Sequence, residues 1–111
     1  MAEESRARFM RLLVFFDLPV LTAKQRKDYR QFRKRLIKEG YLMMQESVYS
    51  KLVVNDQLAT TAIQRLKTFR PPEGLVQVLK VTEKQYATIV NVTGEAVSHD
   101  ELDTTEGFVI V

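Results

Sequence analysis

At 111 residues the chain has room for one compact domain rather than two. Its 45% hydrophobic and 28% charged residues form an ordinary globular balance, and the lack of Cys excludes both a disulfide framework and thiolate chemistry. The formal charge of +3 hides an uneven layout: Met1–Val90 carries 17 basic and 9 acidic residues, while Asn91–Val111 carries five acidic residues and no basic one.

In chain order, the acidic start Met1-Ala2-Glu3-Glu4 lacks the apolar core of a signal peptide. No apolar run approaches the ~20 residues that span a bilayer, so a soluble cytoplasmic protein with no membrane partner is expected. Phe9–Phe16 is an apolar run broken only by Arg11, which predicts a central strand buried on both faces. It stops at Asp17-Leu18-Pro19, because proline cannot join a ladder. Thr22-Ala23-Lys24-Gln25 is a capping box, and Tyr29, Phe32, Leu36 and Ile37 then recur at helical spacing up to the cap at Gly40.

Tyr41–Gln45 and Val48–Val54 read as two strands, separated only by Glu46-Ser47 in a tight reversal or a bend. The second alternates Val48, Ser50, Leu52 and Val54 with Tyr49, Lys51 and Val53. A second helix starts near Asp56, carries Ala59, Ala62, Ile63, Leu66 and Phe69 on one stripe, and ends before Pro71-Pro72. Leu75–Val81 alternates as a strand. Thr82-Glu83-Lys84-Gln85 is a second capping box, opening a short helix expected to turn Tyr86, Ile89 and Val90 inward. A strand near Asn91–Thr93, a polar stretch and a final apolar run, Phe108–Val111, complete the chain.

The order β-α-β-β-α-β, with an appended short helix and C-terminal strand, predicts an α+β, ferredoxin-like sandwich with both helices on one sheet face. Residues 1–90 would form this core and 91–111 an acidic extension of the same domain. A domain this small buries only about 65% of its unfolded surface. Pairing two open sheet faces is the natural remedy, so a homodimer is expected.

The single His, His99, stands in the acidic extension, which removes embedded Ser–His pairs and multi-His metal sites. Gly40, Gly74, Gly94 and Gly107 are too scattered for a phosphate-cradling loop. Chemistry here is left to carboxylates, hydroxyls, Lys or a carboxylate-bound hard cation such as magnesium or manganese.

The segment Thr22–Glu39 holds Lys24, Arg26, Lys27, Arg30, Arg33, Lys34, Arg35 and Lys38 against only Asp28 and Glu39. At 100° per residue, Lys27, Lys34 and Lys38 project opposite the apolar stripe with Arg30 beside them, while Arg26 and Arg33 lie nearer the seam. Such a helix tracks phosphates rather than reading bases; its other use is solubility and a favourable placement of cations at a helix C-terminus. Asp17 ends a buried strand between rigid neighbours. It can ligate a divalent ion weakly, more firmly if two copies face each other across a dimer axis, or simply accept amide hydrogen bonds in the loop before Thr22. Gln45, Ser47, Tyr49 and Ser50 form a polar-aromatic group whose hydroxyls could bond phosphate or position water, or make ordinary cross-strand pairs.

Phe16-Asp17-Leu18-Pro19, the basic first helix and Gln45-Glu46-Ser47-Val48-Tyr49-Ser50 together resemble the CRISPR-associated Cas-two family of small adaptation proteins. Thr22–Lys38, Ser47–Leu52 and Val81–Tyr86 are similar to the branch found beside type II systems. The resemblance implies a ferredoxin-like homodimer whose C-terminal strand, here Phe108, Val109, Ile110 and Val111, packs on the partner's sheet. It also implies a place between two dimers of the Cas-one integrase, with double-stranded DNA lying on the basic surface during spacer acquisition. Members are further described as magnesium-dependent endoribonucleases or DNases, and the aspartate ending the first strand, their metal ligand, matches Asp17.

Three functions follow as expectations. The favoured one is a non-catalytic bridge that binds duplex DNA through Lys24, Arg26, Lys27, Arg30, Arg33, Lys34 and Lys38. The second is a phosphodiesterase, acting on single-stranded RNA or on DNA, with magnesium shared by two copies of Asp17. The third, a small-molecule-sensing domain, is disfavoured by the basic helix and by the lack of a glycine-rich ligand loop.

Overall fold

The computed structural model describes residues 9–94, which contain strands β1 (Met10–Asp17), β2 (Leu42–Gln45), β3 (Val48–Val53) and β4 (Leu75–Thr82). Helices α1 (Ala23–Lys38) and α2 (Asp56–Thr68) and the single turn α3 (Glu83–Tyr86) complete the set. The strand order is β2-β3-β1-β4 with every neighbouring pair antiparallel, the ferredoxin-like sheet that the element order predicts. Phe108–Val111 and the rest of the extension after Gly94 lie outside the described residues.

Alternation along β1 decides which face becomes the core. Leu12, Val14 and Phe16 are buried together with Phe32 and Leu36 of α1 and Ala59, Ala62 and Leu66 of α2. These β1 positions share one parity, so both helices cover the same sheet face. Leu12 and Leu36 are fully buried, and each such leucine contributes about 1.5–3 kcal/mol. Phe16 anchors the aromatic part of this core, with ring centroids 5.2 Å from Phe32 and 5.7 Å from Tyr49.

The opposite parity of β1 corrects the expectation of a strand buried on both faces. Leu13 is buried, but Phe15 is exposed, as are Leu42, Leu52, Leu75 and Leu79. The registers Leu13↔Ser50, Ser50↔Leu42, Leu13↔Leu79 and Asp17↔Leu75 put these residues on one apolar face, opposite the one that α1 and α2 cover. On β3, Tyr49 and Val53 turn to the helices and are buried, while Ser50, small and flanked by Leu13 and Leu42, is buried on the other side. Glu46-Ser47 makes the tight reversal, with an irregularity in register between Met43 and Gln45.

Three further expectations need correction. Ile37, counted in the apolar stripe, is 55% exposed, because one 100° step past buried Leu36 carries it off the seam. Ile89 and Val90 do not turn inward, since α3 ends at Tyr86 and no described element covers them. The segment Asn91–Thr93 forms no strand. No helix among the described residues is long and apolar enough to cross a membrane.

Candidate nucleic-acid interface

Helix α1 is fixed firmly at both ends. At its start the Gln25 amide donates to Thr22 Oγ1 at 3.0 Å, and Gln25 Oε1 accepts from the Thr22 amide at 3.0 Å, closing the predicted capping box. The same Oε1 accepts from the Leu21 amide at 2.9 Å, and Gln25 Nε2 donates to Glu73 at 3.2 Å, tying the helix start to the loop before β4. At its end the Gly40 amide donates to Ile37 and the Tyr41 amide to Leu36, both at 3.0 Å, a Schellman motif. Gly40 supplies the left-handed φ of 97° that this closure requires.

On this scaffold the cations divide into two groups. Toward α2, Lys24 pairs with Asp28 at 2.9 Å and Arg35 with Glu39 at 3.1 Å. Glu39 also accepts a two-pronged pair from Arg65 of α2 at 2.7 and 2.6 Å, while the Arg35 guanidinium lies 4.6 Å from the centre of the Phe69 ring. The Arg65 and Arg35 guanidiniums hold the Glu39 carboxyl down at about 2.

Away from α2, Lys27, Arg30, Lys34 and Lys38 have no acidic partner among the described residues. Lys27, Arg30, Gln31, Arg33 and Lys34 line one shallow groove beside exposed Ile37. Successive turns stack these cations about 5–6 Å apart at Cβ. A row of unneutralised like charges costs self-repulsion in the isolated chain, and a polyanion removes that cost by replacing counterions.

Two members of the predicted set are used differently. Arg26 Nη1 donates to the Val20 and Leu21 carbonyls at 3.2 and 2.9 Å, so it braces the loop that joins β1 to α1. Arg33 reaches across to β3, where its Nε donates to the Tyr49 hydroxyl at 2.9 Å. That contact draws Tyr49 into a core role, and Ser50 is likewise buried in the sheet. Arg11 is committed elsewhere: it forms a two-pronged pair with Glu83 at 2.7 and 3.0 Å and stacks 4.5 Å from the centre of the Tyr86 ring. The Arg11 guanidinium lowers the Glu83 carboxyl below its ordinary value.

Asp17 lies apart from this basic arc. Its position in β1 gives it the parity of Phe15, on the sheet face opposite α1, beside Leu75 in register. No hydrogen bond reaches its side chain among the described residues, so the amide-accepting alternative is not realised there. A close approach fixes the backbone at this point. Gly74, at φ 97°, passes so near that a Cβ would stand 2.7 Å from the Asp17 carbonyl oxygen and 2.7 Å from Leu18 Cδ2. Among the described residues no group of three His, Cys, Asp or Glu side chains gathers anywhere. Asp17 is therefore a hard oxygen donor of the right kind for magnesium, but one carboxylate leaves most of a coordination shell of six or so to other donors.

Sequence reasoning missed the Glu39–Arg65 and Arg11–Glu83 pairs. The i, i+4 spacing of Arg35 and Glu39 signals half of the first; nothing local signals the second, whose partners stand 72 residues apart.

Comparison with known proteins points to one family. A family model described as CRISPR associated protein Cas2 matches residues 10–89. A CRISPR-associated endoribonuclease Cas2 of Treponema denticola is 49% identical over 102 residues, covering 92% of this chain and 100% of that protein. One from Streptococcus mutans is 49% identical over 86 residues (78% of this chain and 79% of that protein). Another, from Ligilactobacillus salivarius, is 52% identical over 77 residues (69% and 76%).

Proposed function

The chain belongs to the CRISPR-associated Cas2 family, and from that premise we propose that it is a nucleic-acid-binding bridge in spacer acquisition rather than principally a nuclease. Two copies pair through the apolar sheet face bearing Phe15, Leu52, Leu75 and Leu79, which doubles the basic arc of α1 by symmetry. The paired arcs hold double-stranded DNA by its phosphates, and the homodimer spaces two dimers of the Cas-one integrase that carries out the chemistry.

The observation that carries this reading is the placement of charge. Lys27, Arg30, Lys34 and Lys38 have no acidic partner among the described residues and stand on a helix capped at both ends, so the backbone that carries them is already ordered before binding. Asp17, the carboxylate at the end of β1, sits on the other sheet face, away from those cations.

A second reading has its own support. The relatives bear the name endoribonuclease, and the Asp17 carboxylate has no bonded partner among the described residues. Here Asp17 from both copies would hold a magnesium ion, which supplies an activated water and charge stabilisation for hydrolysis of single-stranded RNA or DNA. Among the described residues Asp17 belongs to no group of three His, Cys, Asp or Glu side chains, so hydrolysis on this reading would rest on the shared ion without such a cluster to assist it.

One experiment separates the two readings: co-purification with the neighbouring Cas-one integrase, followed by spacer integration with wild type and Asp17→Ala. The expected result is retained integration with loss of any magnesium-dependent cleavage. Loss of integration by a variant that still folds and dimerises overturns the bridge reading.

A further inference from the structure

The cations of α1 are not equivalent. Lys27, Arg30, Lys34 and Lys38 end long flexible stems in solvent, whereas Arg33 is held from below. Its Nε donates to the hydroxyl of Tyr49 at 2.9 Å, and Tyr49 is itself fully buried. The ring of Tyr49 lies 5.7 Å from Phe16, whose own ring packs against Phe32 and Tyr29, so the hydroxyl is mounted on an immobile aromatic cluster. A guanidinium offers five N–H donors in a planar fork. The Tyr49 bond uses the one on Nε, and no acceptor among the described residues takes those on the two terminal nitrogens. Arg33 lines the same groove as Lys27, Arg30 and Lys34.

Resting on the phosphate-binding reading above, we propose that Arg33 is the fixed phosphate clamp of the basic arc and that the Tyr49 hydroxyl is its positioning group. Rotamer freedom is the main cost of recruiting an arginine to a phosphate. In Arg33 that freedom is already restricted by the Nε bond, which leaves the terminal N–H pair free to grip two oxygens of one phosphate. The lysines then act as point charges around a single register-setting contact. Tyr49 touches no phosphate; it acts only through Arg33.

The test uses the full-length chain and a short mixed-sequence DNA duplex, with binding measured across a salt series for wild type, Tyr49→Phe, Arg33→Ala and the double variant. Tyr49→Phe keeps the buried ring and removes only the hydroxyl. It should weaken binding about three- to tenfold, the worth of one hydrogen bond, while leaving the salt slope unchanged because the phosphate contact is still made. Arg33→Ala should lower the slope by about 0.9. In the Arg33→Ala background, Tyr49→Phe should have no further effect on binding.

A second readout needs no nucleic acid: the Arg33 Nε–H resonance of the free wild type should exchange slowly with solvent, and that protection should vanish in Tyr49→Phe. Two outcomes overturn the clamp while the phosphate reading stands: Tyr49→Phe binding as wild type does, or Tyr49→Phe weakening binding equally when Arg33 is absent. A wild-type chain that ignores the duplex at low salt overturns both.

Discussion

The side of α1 that faces α2 and the side that faces away are built from the same kinds of residue, yet they meet opposite fates. On the first, Lys24 and Arg35 find Asp28 and Glu39, and Arg65 arrives from the neighbouring helix to complete a closed set of charges. On the second, Lys27, Arg30, Lys34 and Lys38 find no acid among the described residues. The difference teaches that the basic composition of a helix says little until its in-chain partners are counted. The paired side is structural glue, and the unpaired side is the surface left for something else.

The contrast breaks most visibly under charge reversal. Converting Lys27, Arg30 and Lys34 together to Glu should reduce duplex affinity about a hundredfold or more and flatten its salt dependence by about 2.7, near 0.9 for each lost phosphate contact. Lys24→Glu, on the paired side, should shift affinity far less in the same titration. Equal losses from the two sides would erase the distinction.

The paired side should answer instead to acid and heat. The Glu39 carboxyl is held at about 2, below its ordinary 4.5, so the ion pairs stabilise the fold above the ordinary value. That contribution is lost as the pH falls through about 2, when the carboxylate takes up its proton in the folded state too. Glu39→Gln should lower the thermal midpoint at neutral pH, and the gap from wild type should close in melts at progressively lower pH. Duplex binding at neutral pH should barely change.

Thr22→Ala probes the support common to both sides. Removing the cap oxygen that accepts from the Gln25 amide should cost about 1 kcal/mol in chemical denaturation, with the salt slope of binding intact. Smallest is Tyr41→Phe. The buried Tyr41 hydroxyl has no hydrogen-bond partner among the described residues, and burial pushes its pKa up to about 12. Deleting that hydroxyl should leave stability within about 0.5 kcal/mol of wild type, or slightly above it, by the same denaturation measurement.

Much of the fold was legible because its signals are local. Both capping boxes, the apolar stripe of α2 and the reversal at Glu46-Ser47 are encoded within a few residues and were realised as read. Ile37 and Val90 misled because apolar character alone does not say whether another element arrives to cover it. Phe15 misled in the same way: an apolar run reads as buried on both faces even when no described element covers one of them. Within the candidate site, helical geometry placed Arg33 near the seam, and from there it reaches β3. That its acceptor would be Tyr49 depended on the packing of α1 over β3, which no spacing records.

The near-contact between Gly74 and the end of β1 has a consequence for anyone who would remodel this chain. Since even one added carbon there collides with the Asp17 carbonyl and with Leu18, a stiffer residue at position 74 would push the carboxylate-bearing strand end outward. The damage would surface at a distance, in whatever Asp17 does, rather than in the loop that was changed. A hydrogen atom at that position is thus what keeps the acidic tip of β1 in its seat.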